Sequence, residues 1–317
     1  MDRRTFLVVF VLLALGLARL AGAQEPFSLA PTTQPDVPEL STDTNSDEGI
    51  YTMPQPPLPG QGTNQGGVNF NLDLSYFNQY VYRGVDHSIG EAKPSGVFTL
   101  KGSTLNFQVD TNLHFDLGKF PHPFLGLFTD VYDADPVNKF QEVRPYYGLE
   151  WEVKPFTLIG GGNTYIYPGR TDLNTAEYFG KFSFNDSLLF HSATPIFSPY
   201  YYAAYDYDKN KGWYMEGGIT HDFPFEDFGV TFTTQADVAY IMGYQEQFVF
   251  INEFHDTGWQ HYDLGFKLAY SLNHLFNLGQ RYGQFDILAS IFYTGTIDGD
   301  LTANNILWGG VGIGFSY

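Results

Sequence analysis

Histidine stands beside serine at two places in this chain, Asp86-His87-Ser88 and His191-Ser192. A histidine could activate the neighbouring hydroxyl as a nucleophile, provided that a third group orients the imidazole. Neither stretch has such a group nearby in the sequence, although triads can assemble from distant residues. The chain also lacks Cys, which excludes a thiol nucleophile, a disulfide framework and a thiolate metal site. We therefore predict that the protein is not an enzyme.

A second stretch that could do chemistry is Asp206-Tyr207-Asp208-Lys209-Asn210-Lys211-Gly212, with carboxylates at alternating positions. Calcium loops of the EF-hand type need a glycine at the sixth position and a closing glutamate at the twelfth. Here the glycine comes one residue late, and Gly217 stands where the glutamate should be. A strand end followed by a turn accounts for the same residues. The sequence therefore predicts no metal site and no cofactor.

The charge balance points to cations as electrostatic partners. The 317 residues include 35 Asp and Glu but only 16 Lys and Arg, for a net charge of −19 at pH 7. Such an acidic chain is a poor candidate for binding nucleic acid or anionic lipid through charge. We accordingly predict no nucleic-acid partner.

The first 67 residues differ in composition from the rest. Residues 1–23 have the features of an export signal: Arg3 and Arg4, an apolar stretch, and a small-residue cleavage site at Ala21-Gly22-Ala23. Residues 24–67 are rich in Pro, Gln and Asp and contain no Lys or Arg, which predicts a disordered periplasmic tether. This tether could recruit a periplasmic partner, but only its composition supports that, which favours a simple spacer.

From residue 68 to the last residue, apolar and polar side chains alternate with the period of a β-strand. In one example Leu105, Phe107 and Val109 alternate with polar neighbours. A first count of such segments is odd, and merging 95–101 into a bent second strand leaves about twelve, an even number as bacterial barrels require. The predicted crossings are 68–83, 104–117 extended by 95–101, 123–133, 141–154, 156–167, 175–185, 198–208, 212–222, 229–242, 259–272, 284–297 and 305–317.

Two architectures use many alternating strands: a soluble sandwich with its apolar face inside, and a membrane barrel with its apolar face outside. Three features favour the barrel. The export signal and the lack of Cys suit an outer membrane, and the polar face carries too many charges for a solvated sheet surface. Aromatic residues also mark the apolar face, as expected for girdles at the two membrane interfaces. These are Tyr76, Tyr80, Trp151, Tyr240, Tyr262 and Tyr270. We therefore predict an all-β fold, a transmembrane antiparallel barrel over residues 68–317.

The last residues read "LWGGVGIGFSY", with apolar residues at alternate positions up to the final tyrosine. This pattern resembles the C-terminal strand signature by which bacterial barrels are recognised for insertion. We predict that it is the signal read by the barrel assembly machinery and that the last strand closes on the first. The signal residues are Val311, Ile313, Phe315 and Tyr317.

If the apolar face meets lipid, the polar face lines the interior, and its acids outnumber its bases. Rings of carboxylates in a narrow lumen attract cations, so we predict a cation preference. The alternative is that bases such as Arg144 and Lys267 form internal ion pairs with Glu142 and Asp263. The predicted lumen-lining residues are Asp73, Asp110, Glu142, Arg144, Glu150, Glu152, Glu177, Lys181, Glu216, Asp237, Asp263, Lys267 and Asp286.

Two patches resemble the TorF-type porin family. Tyr80-Val81-Tyr82-Arg83-Gly84-Val85-Asp86-His87-Ser88 is similar to the end of that family's first strand, although it has His87 where the family has Gln. Tyr165-Ile166-Tyr167-Pro168-Gly169, followed by Asn174-Thr175-Ala176-Glu177-Tyr178, is similar to the connection between its fifth and sixth strands. The resemblance implies an outer-membrane barrel with pore function and no particular substrate.

Together these patterns predict a bacterial outer-membrane channel for passive diffusion of small hydrophilic solutes, embedded in outer-membrane lipid. The alternative is a non-conducting barrel that serves as a structural anchor or adhesion platform, with its inward charges paired into a polar plug. A barrel of about twelve strands lies between small filled barrels and wide porins, so strand number does not decide between them.

Overall fold

The structure is a computed structural model that describes residues 67–86, 106–132, 141–168, 171–192, 194–243, 257–298 and 305–317. The predicted export signal, nearly all of the predicted tether, residues 95–101 and His87 lie outside these ranges. Within them, no helix is long and apolar enough to cross a bilayer.

Twelve antiparallel strands form a closed barrel in which almost every strand pairs with its neighbours in the sequence. The predicted fold class and strand number are therefore confirmed. The barrel strands are β1 (Val68–Phe77), β4 (Asn106–Phe115), β5 (His122–Tyr132), β6 (Gln141–Val153), β7 (Phe156–Tyr165), β8 (Thr175–Phe184), β9 (Tyr200–Asp206), β10 (Trp213–Phe225), β11 (Val230–Met242), β12 (Gly258–Ser271), β13 (Gln284–Thr296) and β14 (Ile306–Ser316). Two further strands of two residues each, β2 (Val81–Tyr82) and β3 (Val85–Asp86), form a separate hairpin.

The barrel closes between its first and last strands, as the sequence predicted. Leu74 of β1 lies opposite Ile313 of β14. At the end of the seam the backbone N–H of Phe70 donates to the carbonyl of Tyr317 at 2.7 Å, and the N–H of Tyr317 donates to the carbonyl of Phe70 at 2.8 Å. The final residue thus completes the hydrogen-bond ladder, which leaves no open edge at this seam.

The outer face is apolar and exposed, because alternate residues of each strand point away from the interior. Phe107, Leu149 and Phe266 are between 42% and 52% exposed, whereas their neighbour Lys267 is 3% exposed. The parity assigned to the strands from sequence is therefore confirmed at these positions. An outer surface of this kind suits hydrocarbon better than water.

Short helical segments occupy several connections. They are helices at Ser187–Phe190 and Leu272–Phe276 and single 3-10 turns at Thr171–Leu173, Glu226–Phe228 and Gln280–Tyr282. Leu275 of the second helix packs against the pair Val230 and Tyr270, which is why Tyr270 is only 1% exposed. The prediction that Tyr270 belongs to an exposed aromatic girdle was wrong, because this helix covers it.

The first strand is shorter than predicted. The sequence indicated a crossing over 68–83, but β1 ends at Phe77 and the chain then enters the barrel. Tyr80, which the sequence placed in the outer aromatic girdle, is 1% exposed within an aromatic core cluster. Alternation alone could not show this turn, because aromatic residues suit both an outer girdle and a packed interior.

The stretch that resembles a calcium loop is a turn, as predicted. β9 ends at Asp206 and β10 begins at Trp213. The Asp206 carboxylate accepts hydrogen bonds from the backbone N–H groups of Asp208, Lys209 and Asn210, each at 3.1 Å. This is the local bonding by which aspartate stabilises turns.

Candidate channel interior

The residues predicted to line the lumen all lie on the inner parity of the barrel strands. Eleven of the thirteen are buried, and the other two, Asp73 and Glu152, are half-buried. Since the exterior side chains are exposed, this burial shows that the interior is densely filled with side chains at these levels. The inner wall is therefore polar and tightly packed.

Four pairs of carboxylates face one another across neighbouring strands of the inner wall. Like charges directly opposite each other destabilise a sheet unless a cation or a proton compensates them. The pairs are Asp73 with Asp110, Asp130 with Glu142, Glu177 with Asp206, and Asp237 with Asp263. Sequence analysis identified most of these acids but not their pairing, because register between strands cannot be read from alternation alone.

The β2–β3 hairpin, together with residues 78–80, forms what we call the inner hairpin, residues 78–86. Val81 lies opposite Asp86 and Tyr82 opposite Val85, so Arg83 and Gly84 are the two central residues of the turn. Both have positive φ, 50° for Arg83 and 76° for Gly84. Turns of this type match the twist of a hairpin, but an arginine in that conformation is unfavourable by itself.

Arg83 is held in this conformation by Glu177 of β8. Its Nη1 donates to Glu177 Oε2 at 2.9 Å, and its Nη2 donates to Oε1 at 2.8 Å, so the pairing is bidentate. The guanidinium also lies over the ring of Tyr214, 4.4 Å from the centroid. Both charged groups are buried. Bidentate pairing with additional contacts is the arrangement that compensates the desolvation of two buried charges.

Glu177 is a centre of hydrogen bonding as well as a charge partner. It accepts from Tyr165 Oη at 2.6 Å and from Asn163 Nδ2 at 2.9 Å. Tyr82 of the inner hairpin hydrogen-bonds to the same Tyr165 hydroxyl. The phenols of Tyr82 and Tyr165 therefore connect the inner hairpin to the carboxylate that pairs with Arg83.

A second contact attaches the inner hairpin to β6. Arg144 Nε donates to Glu142 Oε1 at 2.6 Å, and Arg144 Nη2 donates to Tyr80 Oη at 2.8 Å. Tyr80 Oη in turn donates to Glu142 Oε2 at 2.9 Å. The ion pair between Arg144 and Glu142, one of the alternatives considered from sequence, is therefore present. It joins the inner hairpin to the wall.

Apolar contacts also attach the inner hairpin to the barrel wall. Val81 packs with Phe77, Phe292, Ile306 and Trp308 in a buried cluster beside β13 and β14. Arg83 and Tyr80 contact the opposite part of the wall, on β8 and β6. The inner hairpin therefore extends across the interior at the end of the barrel where β1 ends and β14 begins. We call this the loop end; the chain's C-terminus lies at the other end.

The remaining predicted residues lie in smaller polar groups along the interior. Glu150 is 3.8 Å from His114, measured from Oε2 to Nε2, and Lys181 Nζ lies 4.5 Å from the centroid of the Tyr200 ring. Asp286 accepts from Gln284 Nε2 at 2.9 Å. Glu216 accepts from the hydroxyls of Tyr200 and Tyr214, each at 2.6 Å. The predicted acids are thus distributed along the interior rather than gathered in a single site.

Sequence analysis missed the buried aromatic and histidine residues that bond these acids. Tyr165, Tyr200, Tyr202 and Tyr214 are inward-facing and nearly fully buried, as is His261. Their pattern was visible as alternation, but a tyrosine on either face of a strand carries the same signal. Of the two histidine–serine stretches, only His191-Ser192 is described. Ser192 Oγ there donates to the carbonyl of Thr194.

No protein-family model and no curated protein sequence matches the chain. Several solved structures resemble the fold. The translocator domain of the autotransporter NalP from Neisseria meningitidis is 11% identical in sequence to this chain, with a TM-score of 0.39. The alignment covers 80% of this chain and 89% of the NalP domain. An outer membrane channel from Pseudomonas putida F1 is 8% identical, with a TM-score of 0.41. That alignment covers 81% of this chain and 98% of the channel. A FadL homologue from Pseudomonas aeruginosa is 11% identical, with a TM-score of 0.36. That alignment covers 92% of this chain and 98% of the homologue. These likenesses concern the barrel fold and assign no function.

Proposed function

We propose that this protein is an outer-membrane channel that lets small hydrophilic solutes through and prefers cations. The observation that carries the proposal is the set of four facing carboxylate pairs on the inner wall of a closed barrel. Closely spaced carboxylates in a narrow, low-dielectric passage concentrate cations more strongly than the same charges on an open surface. The apolar exterior supports residence in outer-membrane lipid, and the C-terminal strand is the segment that the assembly machinery would recognise.

The inner hairpin gives this channel a closed form. It crosses the interior at the loop end and is held there by Arg83 with Glu177 and by Tyr80 with Glu142. We propose that the channel conducts when the inner hairpin dissociates from the barrel wall. Solutes then pass along the acidic inner wall.

A second function is favoured by a different observation. The interior charges are almost completely buried, and Arg83 and Arg144 each pair with a carboxylate. This arrangement suits a permanently filled barrel that anchors the N-terminal tether or supports adhesion at the cell surface.

Single-channel recording in planar bilayers separates the two functions. The purified barrel is reconstituted in KCl beside the Arg83→Ala variant, with Lys119→Ala as a control because Lys119 is an exposed turn residue. A channel with a seated inner hairpin should conduct rarely as the parent and more often as Arg83→Ala, while Lys119→Ala should match the parent. Absence of conductance in all three would contradict the channel and support the anchor.

A further inference from the structure

Two neighbouring strands bring three potential metal ligands together in the inner wall. Asp237 lies on β11, and His261 and Asp263 lie on β12. Each offers one ligand atom, and these atoms all lie within 4.8 Å of one another. All three side chains are more than nine-tenths buried, and His261 is fully so. The cluster is therefore part of the interior and not a solvated acidic surface.

His261 lies two residues before Asp263 on the inward face of β12, and a β-bulge lies directly beside it. Val238 lies opposite Tyr262, but the next pair is Tyr240 with Trp259, so β12 contains one residue more than β11 over this interval. As a result Gln260 and His261 are both buried although they are adjacent, whereas Trp259 is exposed. Bulges of this kind redirect side chains and are frequent beside functional sites.

The three side chains retain hydrogen-bonding capacity that nothing in the described protein satisfies. Asp237 Oδ1, Asp263 Oδ1 and His261 Nε2 are buried atoms without a hydrogen-bond partner. His261 Nε2 lies 3.2 Å from Asp263 Oδ2, but the two groups are not aligned as a hydrogen bond. Buried polar atoms of native proteins are normally satisfied, so three such atoms at one place point to a missing ligand.

The charges specify what kind of ligand this is. Asp237 and Asp263 are direct partners in the register of β11 and β12, so two carboxylates face each other in a buried position. His261 Nδ1 lies 3.2 Å from Gln260 Oε1. If Nδ1 carries the proton and donates to this oxygen, Nε2 is unprotonated. Nε2 then presents its lone pair to the side of the carboxylates, and this is the tautomer in which histidine binds a metal. Two carboxylates and a neutral imidazole match a divalent cation.

We propose that Asp237, His261 and Asp263 bind a divalent transition-metal ion such as Zn²⁺ or Mn²⁺. Tetrahedral zinc with bonds of about 2.0–2.1 Å requires ligand atoms about 3.3 Å apart, so the 3.2 Å between His261 and Asp263 already fits. Small side-chain rotations would bring in Asp237. The imidazole favours zinc and similar transition-metal ions over calcium, which takes oxygen ligands only.

Neighbouring residues hold the ligands in place. Gln235 Nε2 donates to Asp237 Oδ2 at 3.2 Å. The ring of Tyr214 stacks on His261 with the centroids 6.3 Å apart. Gly84 of the inner hairpin approaches so closely that a Cβ there would lie 2.4 Å from His261 Nδ1. The site therefore lies beneath the inner hairpin, and its binding of metal does not depend on whether the barrel conducts.

Calorimetric titration with Zn²⁺ alone tests the proposal. The barrel is purified without a polyhistidine tag, stripped with chelator and titrated in detergent beside His261→Ala and Asp263→Asn. The parent should show a saturable site, and each variant should lose more than about tenfold in affinity. Asp286→Asn and His221→Ala serve as controls, because Asp286 is a buried acid paired with Ser271 at the other end of β12, and His221 lies on the outward parity of β10. Both should bind as the parent does.

A spectroscopic readout keeps the proposal falsifiable if a variant folds poorly. Co²⁺ bound to the parent should give visible absorption bands typical of a nitrogen and oxygen ligand set, and Zn²⁺ should abolish them by displacement. Folding of each variant is checked by its heat-dependent shift in gel mobility. Absence of saturable binding to the parent would overturn the proposal, as would equal affinities for the parent and a folded His261→Ala variant. Either result would assign the cluster to an internal ion pair.

Discussion

Arg83 of the inner hairpin and Glu177 of β8 form a buried, bidentate ion pair across 94 residues of sequence, with distances of 2.9 and 2.8 Å. The pair joins a segment within the barrel to the barrel wall. Because Arg83 also has a positive φ, the turn and the ion pair depend on each other. Release of one partner should therefore release the whole inner hairpin.

The first prediction follows from this pair. Removing one partner of a buried ion pair costs about 3–5 kcal/mol, because the other charge remains buried and unpaired. Arg83→Ala and Glu177→Gln should each expose the inner hairpin to protease, while the barrel itself remains resistant. Limited proteolysis of folded protein in detergent measures this. If both variants are cleaved as slowly as the parent and Lys119→Ala, Arg83 is not what holds the inner hairpin.

The second prediction separates contact from backbone strain. Gly84→Ala would place a Cβ 2.4 Å from His261 Nδ1 at a φ of 76°, and Gly118→Ala would place one at a similar φ of 70° with nothing within 4 Å. Both substitutions impose the same conformational strain, but only Gly84→Ala also meets the histidine ring. Gly84→Ala should therefore lower the free energy of unfolding of the refolded barrel more than Gly118→Ala does, which denaturant titration measures. Equal losses would show that the close approach of Gly84 to His261 has no energetic importance.

The third prediction concerns the exterior. Arg in the middle of a lipid-facing band costs about 2–4 kcal/mol. Phe266→Arg should therefore reduce the amount of folded barrel in the membrane fraction much more than Phe120→Arg, since Phe266 is exposed on the outer face of β12 and Phe120 is exposed in the turn between β4 and β5. Quantitative blotting of heat-modifiable protein from outer-membrane fractions measures this. Equal yields would contradict a lipid-facing position for Phe266.

The fourth prediction concerns the final residue. Tyr317 contributes two backbone hydrogen bonds to closure and an exposed ring at the end of the last strand. Tyr317→Ala keeps the backbone bonds and removes the ring, whereas deletion of the residue removes both. If the ring is the assembly signal, Tyr317→Ala should slow insertion in cells and leave the thermal stability of refolded barrel nearly unchanged, and the deletion should lower both. Normal insertion of Tyr317→Ala would remove the ring from this role.

Sequence predicted the strands well because half-exposed antiparallel strands alternate strictly. The crossing expected at 141–154 is β6, Gln141–Val153, and that expected at 229–242 is β11, Val230–Met242. Alternation failed where the chain leaves the wall: the predicted first strand continued through Tyr80, which instead turns inward. The burial of Tyr270 was also missed, because it depends on a short helix that packs over it.

The interior was predicted in composition but not in arrangement. The acids of the inner face were found by parity, whereas their pairing depends on strand register, which sequence alternation does not specify. His261 lies on the same inward face as Asp263, but the predicted interior set contained only acids, lysines and arginines, so this histidine was missed. The sequence-based prediction of no metal site rested on local spacing, whereas the cluster proposed here joins Asp237 of β11 to two residues of β12 that follow it by 24 and 26 positions.

The most direct test of the central proposal is the reversal potential of the Arg83→Ala channel in a KCl gradient. We compare it with Arg83→Ala carrying Asp73→Asn and Asp110→Asn, a facing pair of the inner wall outside the proposed metal site. A matched control carries Asp208→Asn and Asp227→Asn, which remove the same charge from exposed turns. We expect the Arg83→Ala channel to be cation-selective. The Asp73→Asn and Asp110→Asn substitutions should reduce this selectivity, and the two control substitutions should leave it unchanged. Anion selectivity of Arg83→Ala, or a cation selectivity that the inner pair leaves unchanged, would contradict the central proposal.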